Sequence, residues 1–345
     1  MARETNGGRT EVSEVSRETL RPDQDASVGG AHGAGMVLRP SNAYEDTPIG
    51  AAAARATQYQ HPGDASLPHP DRCRILTIAN QKGGVGKTTT TVNLAAALAL
   101  HDLTVLVIDL DPQGNASTAL GVPHQSGTPS IYEVLLGESP LDEAIQTSTH
   151  SANLLCVPAT IDLAGAEIEL VSMVAREGRL KGALSVAVLD RLGVDFVLID
   201  CPPSLGLLTV NALVAAPEVL IPIQCEYYAL EGLGQLLRNI ELVQAHLNPE
   251  LHVSTILLTM YDGRTKLADQ VANEVRGHFG EVVLRTMIPR SVKVSEAPGY
   301  GQTVLAYDPG SRGAMSYLDA GREFAMRGDV TVGRSDGDDE QGVQG

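Results

Sequence analysis

The chain has 345 residues, a formal net charge of −17, and 43% hydrophobic but only 3% aromatic residues. This length suffices for one large domain or two small ones, with a core built from aliphatic side chains. So negative a charge argues against a protein that binds polyanions over its whole surface, although basic residues gathered on one face could do so. The four cysteines are widely spaced and form no C-x-x-C pair, which is typical of reduced thiols. Because no secretory signal and no run of roughly 18 apolar residues is visible, we expect a cytoplasmic protein without a membrane contact.

The composition changes twice along the chain. Residues 1–72 are polar, contain scattered Gly and Pro, and show no sustained periodicity, so we expect a disordered N-terminal extension. Residues 73–327 alternate apolar runs with helical patterns, which indicates one folded domain. Residues 328–345 are acidic and rich in Gly, and we expect a disordered tail.

The apolar runs of the central part predict strands buried on both faces, separated by helices. This alternation predicts an α/β fold with a single doubly wound, mostly parallel sheet whose ligand binds at the carboxyl ends of the strands. The predicted strands are 75–79, 105–108, 154–157, 196–199, 219–223 and 254–258, and the predicted helices are 91–100, 164–176, 181–192, 206–215, 230–247 and 265–278.

A glycine-rich run between the first strand and the first helix predicts a phosphate-binding loop. Glycines let backbone N–H groups surround phosphate oxygens, while Lys87 adds a full positive charge and the Thr88 hydroxyl is a ligand for Mg²⁺. Gln81 stands where such loops usually have their first Gly, and a second lysine, Lys82, follows it. The predicted phosphate-binding residues are Lys82, Gly83, Gly84, Val85, Gly86, Lys87, Thr88 and Thr89.

Three aspartates follow buried strands at the edge where this loop lies. Asp200, at the end of strand 196–199, fits a carboxylate that holds Mg²⁺ directly or through water. Asp109 ends strand 105–108, where it can support the metal, and Asp111 lies further out, where it can orient or deprotonate an attacking water. Each aspartate taken singly could instead cap a helix or a turn.

Four motifs together resemble the deviant-Walker ATPases, and within them the ParA/Soj partition proteins of chromosomes and plasmids. They are KGGVGKTT at 82–89, DLDPQGN at 109–115, IDCPP at 199–203 and the segment 288–301, and the resemblance covers about residues 73–327. It implies an ATP-dependent homodimer in which Lys82 reaches the nucleotide of the partner protomer. Gly84 would lie where the two protomers approach closely.

The resemblance also implies a role for each residue of the ATP site. Lys87 would bind the β- and γ-phosphates, with Thr88 on Mg²⁺ and Thr89 nearby on phosphate. Asp111 would be needed for hydrolysis together with Lys82, with Asp109 assisting at the metal. Further implied contacts are Asp200 on Mg²⁺ and Met260 and Pro289 at the adenine.

Non-specific binding of double-stranded DNA is the second activity that the resemblance implies. The matching basic residues are Arg264 and Lys293, with Arg290 and Arg312 as helpers. Solvated surface charge is the alternative interpretation of these four residues. A ParB-like centromere-binding partner would stimulate hydrolysis and release the dimer from the nucleoid.

Three other functions remain open at this stage. A MinD-like membrane regulator would share the ATP site but needs a basic amphipathic C-terminal helix, whereas residues 328–345 are acidic. A reductase resembling nitrogenase iron protein would need cysteines placed to hold a shared cluster. A related partition ATPase could carry a plasmid or a protein cargo with the same ATP chemistry.

Overall fold

The computed structural model of this chain describes residues 67–227 and 229–328. Within them lies one seven-stranded sheet in the order β3-β4-β2-β5-β1-β6-β7. All pairings are parallel except the one between β3 and β4. The strands are β1 (Arg74–Ile78), β2 (Val105–Asp109), β3 (Gln146–Thr147), β4 (Leu154–Val157), β5 (Phe196–Asp200), β6 (Glu218–Gln224) and β7 (His252–Thr259). The predicted α/β fold with a mostly parallel sheet is confirmed.

Helices connect the strands and cover both faces of the sheet. In chain order they are α1 (Lys87–Ala99), α2 (Asn115–Ala119), α3 (Ile131–Leu136), α4 (Leu141–Ala144), α5 (Leu163–Leu170), α6 (Arg179–Ala183), α7 (Val186–Leu192), α8 (Leu207–Ala215), α9 (Ala229–His246), α10 (Lys266–Phe279), α11 (Val292–Glu296), α12 (Val304–Tyr307) and α13 (Arg312–Arg327).

The central strands are buried on both faces, as their continuous apolar runs predict. Every residue of β2 and of β5 is buried. Val105 and Val107 pack with α1 and α13 on one face, while Leu106 and Ile108 pack with α3 and α5 on the other. This alternation follows from the two-residue repeat of a strand, which directs successive side chains to opposite faces.

Strand register brings the chemically active loops to one edge. Asp109 at the end of β2 is the register partner of Asp200 at the end of β5, and Ile78 at the end of β1 is the partner of Asp200 on its other side. The loops that follow β1, β2 and β5 therefore open next to each other, as expected at the carboxyl ends of parallel strands.

Several predicted boundaries differ from those observed. The helix predicted at 164–176 ends at Leu170, and Ala175, which follows it, has a left-handed φ of 53° that does not continue a helix. The helix predicted at 181–192 is two helices, α6 and α7, separated by Leu184 and Ser185 in non-helical backbone.

The folded domain extends further towards the N-terminus than residue 73. Leu67 is 4% exposed and belongs to the core around β1 and α1, so the predicted boundary at residue 72 is too late in the chain. The predicted disorder of residues 1–66 and of 329–345 falls outside the described residues and stays a prediction. The last described helix, α13, ends at Arg327, the residue predicted to end the domain.

Candidate functional site

The loop between β1 and α1 leaves the start of α1 open to an anion. Gly84 and Gly86 have φ values of 75° and 92°, in the left-handed region that favours glycine. α1 begins at Lys87 without a side-chain cap and without an acidic residue in its first turn. Its first N–H groups and the positive end of its dipole are therefore available to phosphate oxygens.

Side chains and backbone of neighbouring strands hold this loop in place. Asn80 donates to the Pro222 carbonyl at 2.8 Å and accepts from the Lys82 N–H at 3.0 Å. Thr259, at the end of β7, donates to the Val85 carbonyl at 2.8 Å. Hydrogen bonds to β6 and from β7 thus preorganise the loop, and the sequence motifs predict neither of them.

Lys87 supplies the buried positive charge of the site. It is 7% exposed, and burial lowers its pKa, while the nearby carboxyl of Asp200 acts in the opposite direction. A cation in so little water exerts a stronger field on a bound phosphate than an exposed one does.

Asp200 has the surroundings expected of a metal ligand. It is fully buried, its Oδ1 accepts from the Thr91 hydroxyl at 3.1 Å, and its Oδ2 has no hydrogen-bond partner among the residues that the structure describes. Burial and the neighbouring charge of Asp109 raise its pKa to about 8, while the nearby hydroxyls of Thr88 and Thr91 oppose this rise. A buried carboxylate oxygen without a partner, beside a threonine hydroxyl, is a donor set that fits Mg²⁺.

Asp109 is engaged by its own chain. Its Oδ2 accepts from the Ser117 N–H at 2.8 Å and from the Ser117 hydroxyl at 2.7 Å, and its Oδ1 accepts from the Asp111 N–H at 3.1 Å. Burial raises its pKa to about 6, against these hydrogen bonds. Both oxygens thus hold the 109–117 loop in position, and Ser117 is a site residue that the sequence analysis missed.

Asp111 lies at the entrance of the site. It is half-buried, and its Oδ1 accepts from the Gln113 N–H at 3.0 Å in a tight turn. A carboxylate in this position reaches solvent, as a group that orients a water must.

Lys82 points away from its own loop towards the segment that follows β6. Its Nζ lies 3.3 Å from Oε2 of Glu226, and its side chain is 36% exposed. Added Cβ atoms at Gly83 and Gly84 would meet no atom of residues 67–227 and 229–328 within 4 Å, so this face of the loop is open in the described part of the chain. The sequence analysis did not identify Glu226.

Met260 and Pro289 lie on neighbouring segments beyond β7. Met260 has a φ of 50°, a strained value for a residue other than Gly. Tyr261 pairs with Pro289 in an isolated parallel bridge, and the Tyr261 N–H donates to the Ile288 carbonyl at 3.0 Å. The two predicted adenine contacts are thereby brought to one side of the site.

A groove of about 700 Å³ carries three of the four predicted DNA-binding residues. Arg264 is 88% exposed and makes two hydrogen bonds to Asp262, at 2.8 and 2.7 Å. Lys293 is not part of the lining and pairs with Glu296 at 3.3 Å. The groove is lined by Tyr261, Asp262, Gly263, Arg264, Pro289, Arg290, Ser291 and Arg312.

Within the described residues, no helix combines the length and apolar character that crossing a membrane requires.

Comparison with known proteins identifies the family. A family model described as an AAA domain matches residues 73–253. The sporulation initiation inhibitor protein Soj of Bacillus subtilis is 52% identical over 74% of this chain and 99% of its own length. The chromosome partitioning protein ParA of Myxococcus xanthus is 52% identical over 74% of this chain and 88% of its own.

A solved structure supports the same fold under a different name. Cobyrinic acid a,c-diamide synthase from Mycobacterium smegmatis, with bound ADP and magnesium, matches with a TM-score of 0.62 and 42% identity, over 74% of this chain and 93% of its own. That name denotes another reaction, and the higher identity of the partition proteins decides between the two. The resemblance deduced from the motifs is confirmed, and this chain belongs to the Soj/ParA family of chromosome-partitioning ATPases.

Proposed function

We propose that this chain is a Mg²⁺-dependent ATPase of chromosome partition whose ATP-bound dimer binds nucleoid DNA without sequence specificity. A ParB-like partner stimulates hydrolysis and so releases the dimer, which leaves the protein in the cytoplasm between nucleoid encounters. The single observation that carries this proposal is the second lysine of the loop, Lys82, which is one-third exposed and extends away from its own loop beside an open glycine face.

ATP and Mg²⁺ are the cofactors that suit the site. Lys87 and the first N–H groups of α1 would bind phosphate oxygens, and Thr88 and Asp200 would hold the metal. Mg²⁺, when bound, neutralises charge on the phosphates during their transfer. The matching structure from Mycobacterium smegmatis was solved with ADP and magnesium, in agreement with this assignment.

Lys82 acts across the dimer. Lys87 already supplies the buried cation of the site within one protomer, whereas Lys82 is one-third exposed and turned away. Gly83 and Gly84 present no side chain of their own and have open space beside them, so a second protomer can approach closely and bring its phosphates within reach of Lys82. The nucleotide then joins the two protomers.

Hydrolysis needs a water aligned with the terminal phosphate. Asp111 faces solvent at the edge of the site and orients that water. Asp109 does not touch the water in this assignment, because Ser117 and the Asp111 N–H occupy its oxygens, and it positions the loop that carries Asp111.

DNA binding is assigned to Arg264, Arg290 and Arg312, which line the groove, and to Lys293, which lies outside its lining. Guanidinium groups match phosphate oxygens through pairs of hydrogen bonds, and such contacts carry no sequence information. The proposal therefore assigns the protein to the nucleoid.

The test is the binding of a duplex of random sequence with ATP, with ADP and without nucleotide. The variant is Lys82→Ala, and the control is Lys181→Ala, which removes an exposed lysine from α6. We expect tight binding with ATP only, lost in Lys82→Ala and kept in the control. Equal binding of the wild type in all three states would refute the ATP-dependent switch.

A further inference from the structure

Glu226 forms ion pairs with Lys82 of the predicted phosphate-binding loop and with Arg290 of the groove. Its Oε2 lies 3.3 Å from Nζ of Lys82, and its Oε1 lies 3.2 Å from Nη2 of Arg290. Gln224 donates to the same Oε1 at 2.5 Å, which fixes the carboxylate between the two cations. Lys82, Glu226 and Arg290 form what we call the Glu226 bridge.

The bridge occupies the functional group of each cation. Lys82 offers a single ammonium, and phosphate of a partner protomer has to replace the carboxylate there. Arg290 lines the groove, its backbone N–H is fixed by the Tyr261 carbonyl at 3.0 Å, and its Nη2 faces Glu226. DNA phosphate therefore competes with Glu226 for Arg290 in the same way.

We propose that Glu226 is an autoinhibitory residue, which keeps Lys82 from the partner's nucleotide and Arg290 from DNA while the protein is monomeric. This inference rests on the proposed function, because Glu226 inhibits the same dimerisation and DNA-binding steps that the proposed function assigns to Lys82 and Arg290. The side chains of Lys82, Glu226 and Arg290 are 36%, 44% and 58% exposed, so each contact is weak enough to exchange.

The first test measures dimer formation without DNA, as a function of a non-hydrolysable ATP analogue with Mg²⁺, by sedimentation velocity. In Glu226→Gln we expect half-maximal dimerisation at about two- to fivefold lower analogue concentration, the range expected for loss of one exposed ion pair. The matched control is Glu274→Gln, which makes the same charge change on an exposed position of α10. It should leave the midpoint in place.

Arg290→Gln tests the bridge from its other end. This variant leaves the carboxylate to Lys82 alone, so the midpoint should move to higher analogue concentration. The same change made in the Glu226→Gln background should have no effect on the midpoint. If Glu226 had a merely structural role, it would not transmit a change at Arg290 to nucleotide-driven dimerisation. The single variant Arg290→Gln therefore decides even where Glu226→Gln folds poorly.

DNA affinity without nucleotide is the second readout. Glu226→Gln should bind the random duplex about two- to fivefold more tightly than the wild type in this state. If the wild type dimerises with the analogue but the midpoint of Glu226→Gln is unchanged or higher, the proposed inhibition by Glu226 is wrong and the proposed function stands. If the wild type never dimerises with the analogue, both the inhibition by Glu226 and the proposed function are wrong.

Discussion

Two aspartates at the same sheet edge have different environments. Each ends an apolar strand beside the predicted phosphate loop, so the sequence predicts a metal role for each, and the structure makes them register partners. Asp109 shares its oxygens among backbone and hydroxyl donors, whereas one oxygen of Asp200 has no partner. The difference arises from Ser117, whose position depends on how the 109–117 loop folds back. No local sequence pattern predicts that this loop brings Ser117 back to the Asp109 carboxylate.

The charge of Asp200 lowers the stability of the nucleotide-free protein. Its pKa in the folded state, about 8, is above the ordinary value of 3.8, so the native state binds the extra proton between these limits and stability falls as pH rises. Asp200→Asn should therefore raise the free energy of unfolding by about 1–3 kcal/mol above pH 8, with a gain that shrinks towards pH 4. Urea denaturation across this pH range measures the gain.

The same variant should lose function while it gains stability. An amide is a poor ligand for Mg²⁺ compared with a carboxylate, so Mg²⁺-dependent nucleotide binding should fall. A variant that is less stable than the wild type at pH 8 would contradict the assigned burial cost. Unchanged dependence of nucleotide affinity on Mg²⁺ would remove Asp200 from the metal site.

Glu226 shows which kind of site residue a motif cannot reveal. It is distant in sequence from both Lys82 and Arg290, and only the ends of β1, β6 and β7 bring the three together. The residues of the glycine loop, by contrast, are contiguous, and their strand–loop–helix context predicts where they lie.

Among the elements, the strands were predicted best because each contains a short, largely apolar run rich in β-branched residues and leucine. All six predicted strands are present, and the missed one, β3, is a two-residue antiparallel edge strand. The sequence analysis also missed α13, although its buried residues recur with the spacing of a helix face. A high content of Ala and Gly on that face weakens the apolar signal on which the prediction depended. Those residues include Ala314, Tyr317, Leu318, Gly321, Phe324 and Ala325.

Small residues let α13 approach α1 closely. A Cβ built on Gly321 would lie 2.9 Å from the Cβ of Ala97, an atom that cannot rotate away. Gly321→Val should therefore force the helices apart and lower the free energy of unfolding by about 1–3 kcal/mol. The control is Gly277→Ala in α10, where an added Cβ meets no atom within 4 Å.

In the control the change should have the opposite sign. Ala costs less conformational entropy than Gly in a helix, which should stabilise Gly277→Ala by about 0.5–1 kcal/mol. Thermal unfolding of both variants beside the wild type measures the difference. A Gly321→Val variant as stable as the wild type would show that the contact between α1 and α13 relaxes freely.

For the whole molecule, net charge was a poor guide to the groove that we propose as the DNA-binding surface. The formal charge is −17, yet Arg264, Arg290 and Arg312 meet in one groove. Two of these arginines are neutralised locally, Arg264 by Asp262 and Arg290 by Glu226. The sequence predicts which residues are basic, but it does not reveal the parallel bridge between Tyr261 and Pro289, which brings the segments of Arg264 and Arg290 side by side.

Reversing the charge at Arg264 tests this groove as the DNA surface. Arg264→Glu removes a phosphate contact and places a second carboxylate beside Asp262, so DNA binding with ATP should be lost at physiological salt while ATP binding is kept. At low salt, where residual binding is measurable by fluorescence anisotropy, the slope of log affinity against log salt should be smaller in magnitude by about 1. Arg285→Glu makes the same charge change at an exposed position outside the groove lining and is the control. Equal losses in the two variants would mean that DNA responds to net charge alone, whereas a loss confined to Arg264→Glu locates the phosphate contacts in the groove.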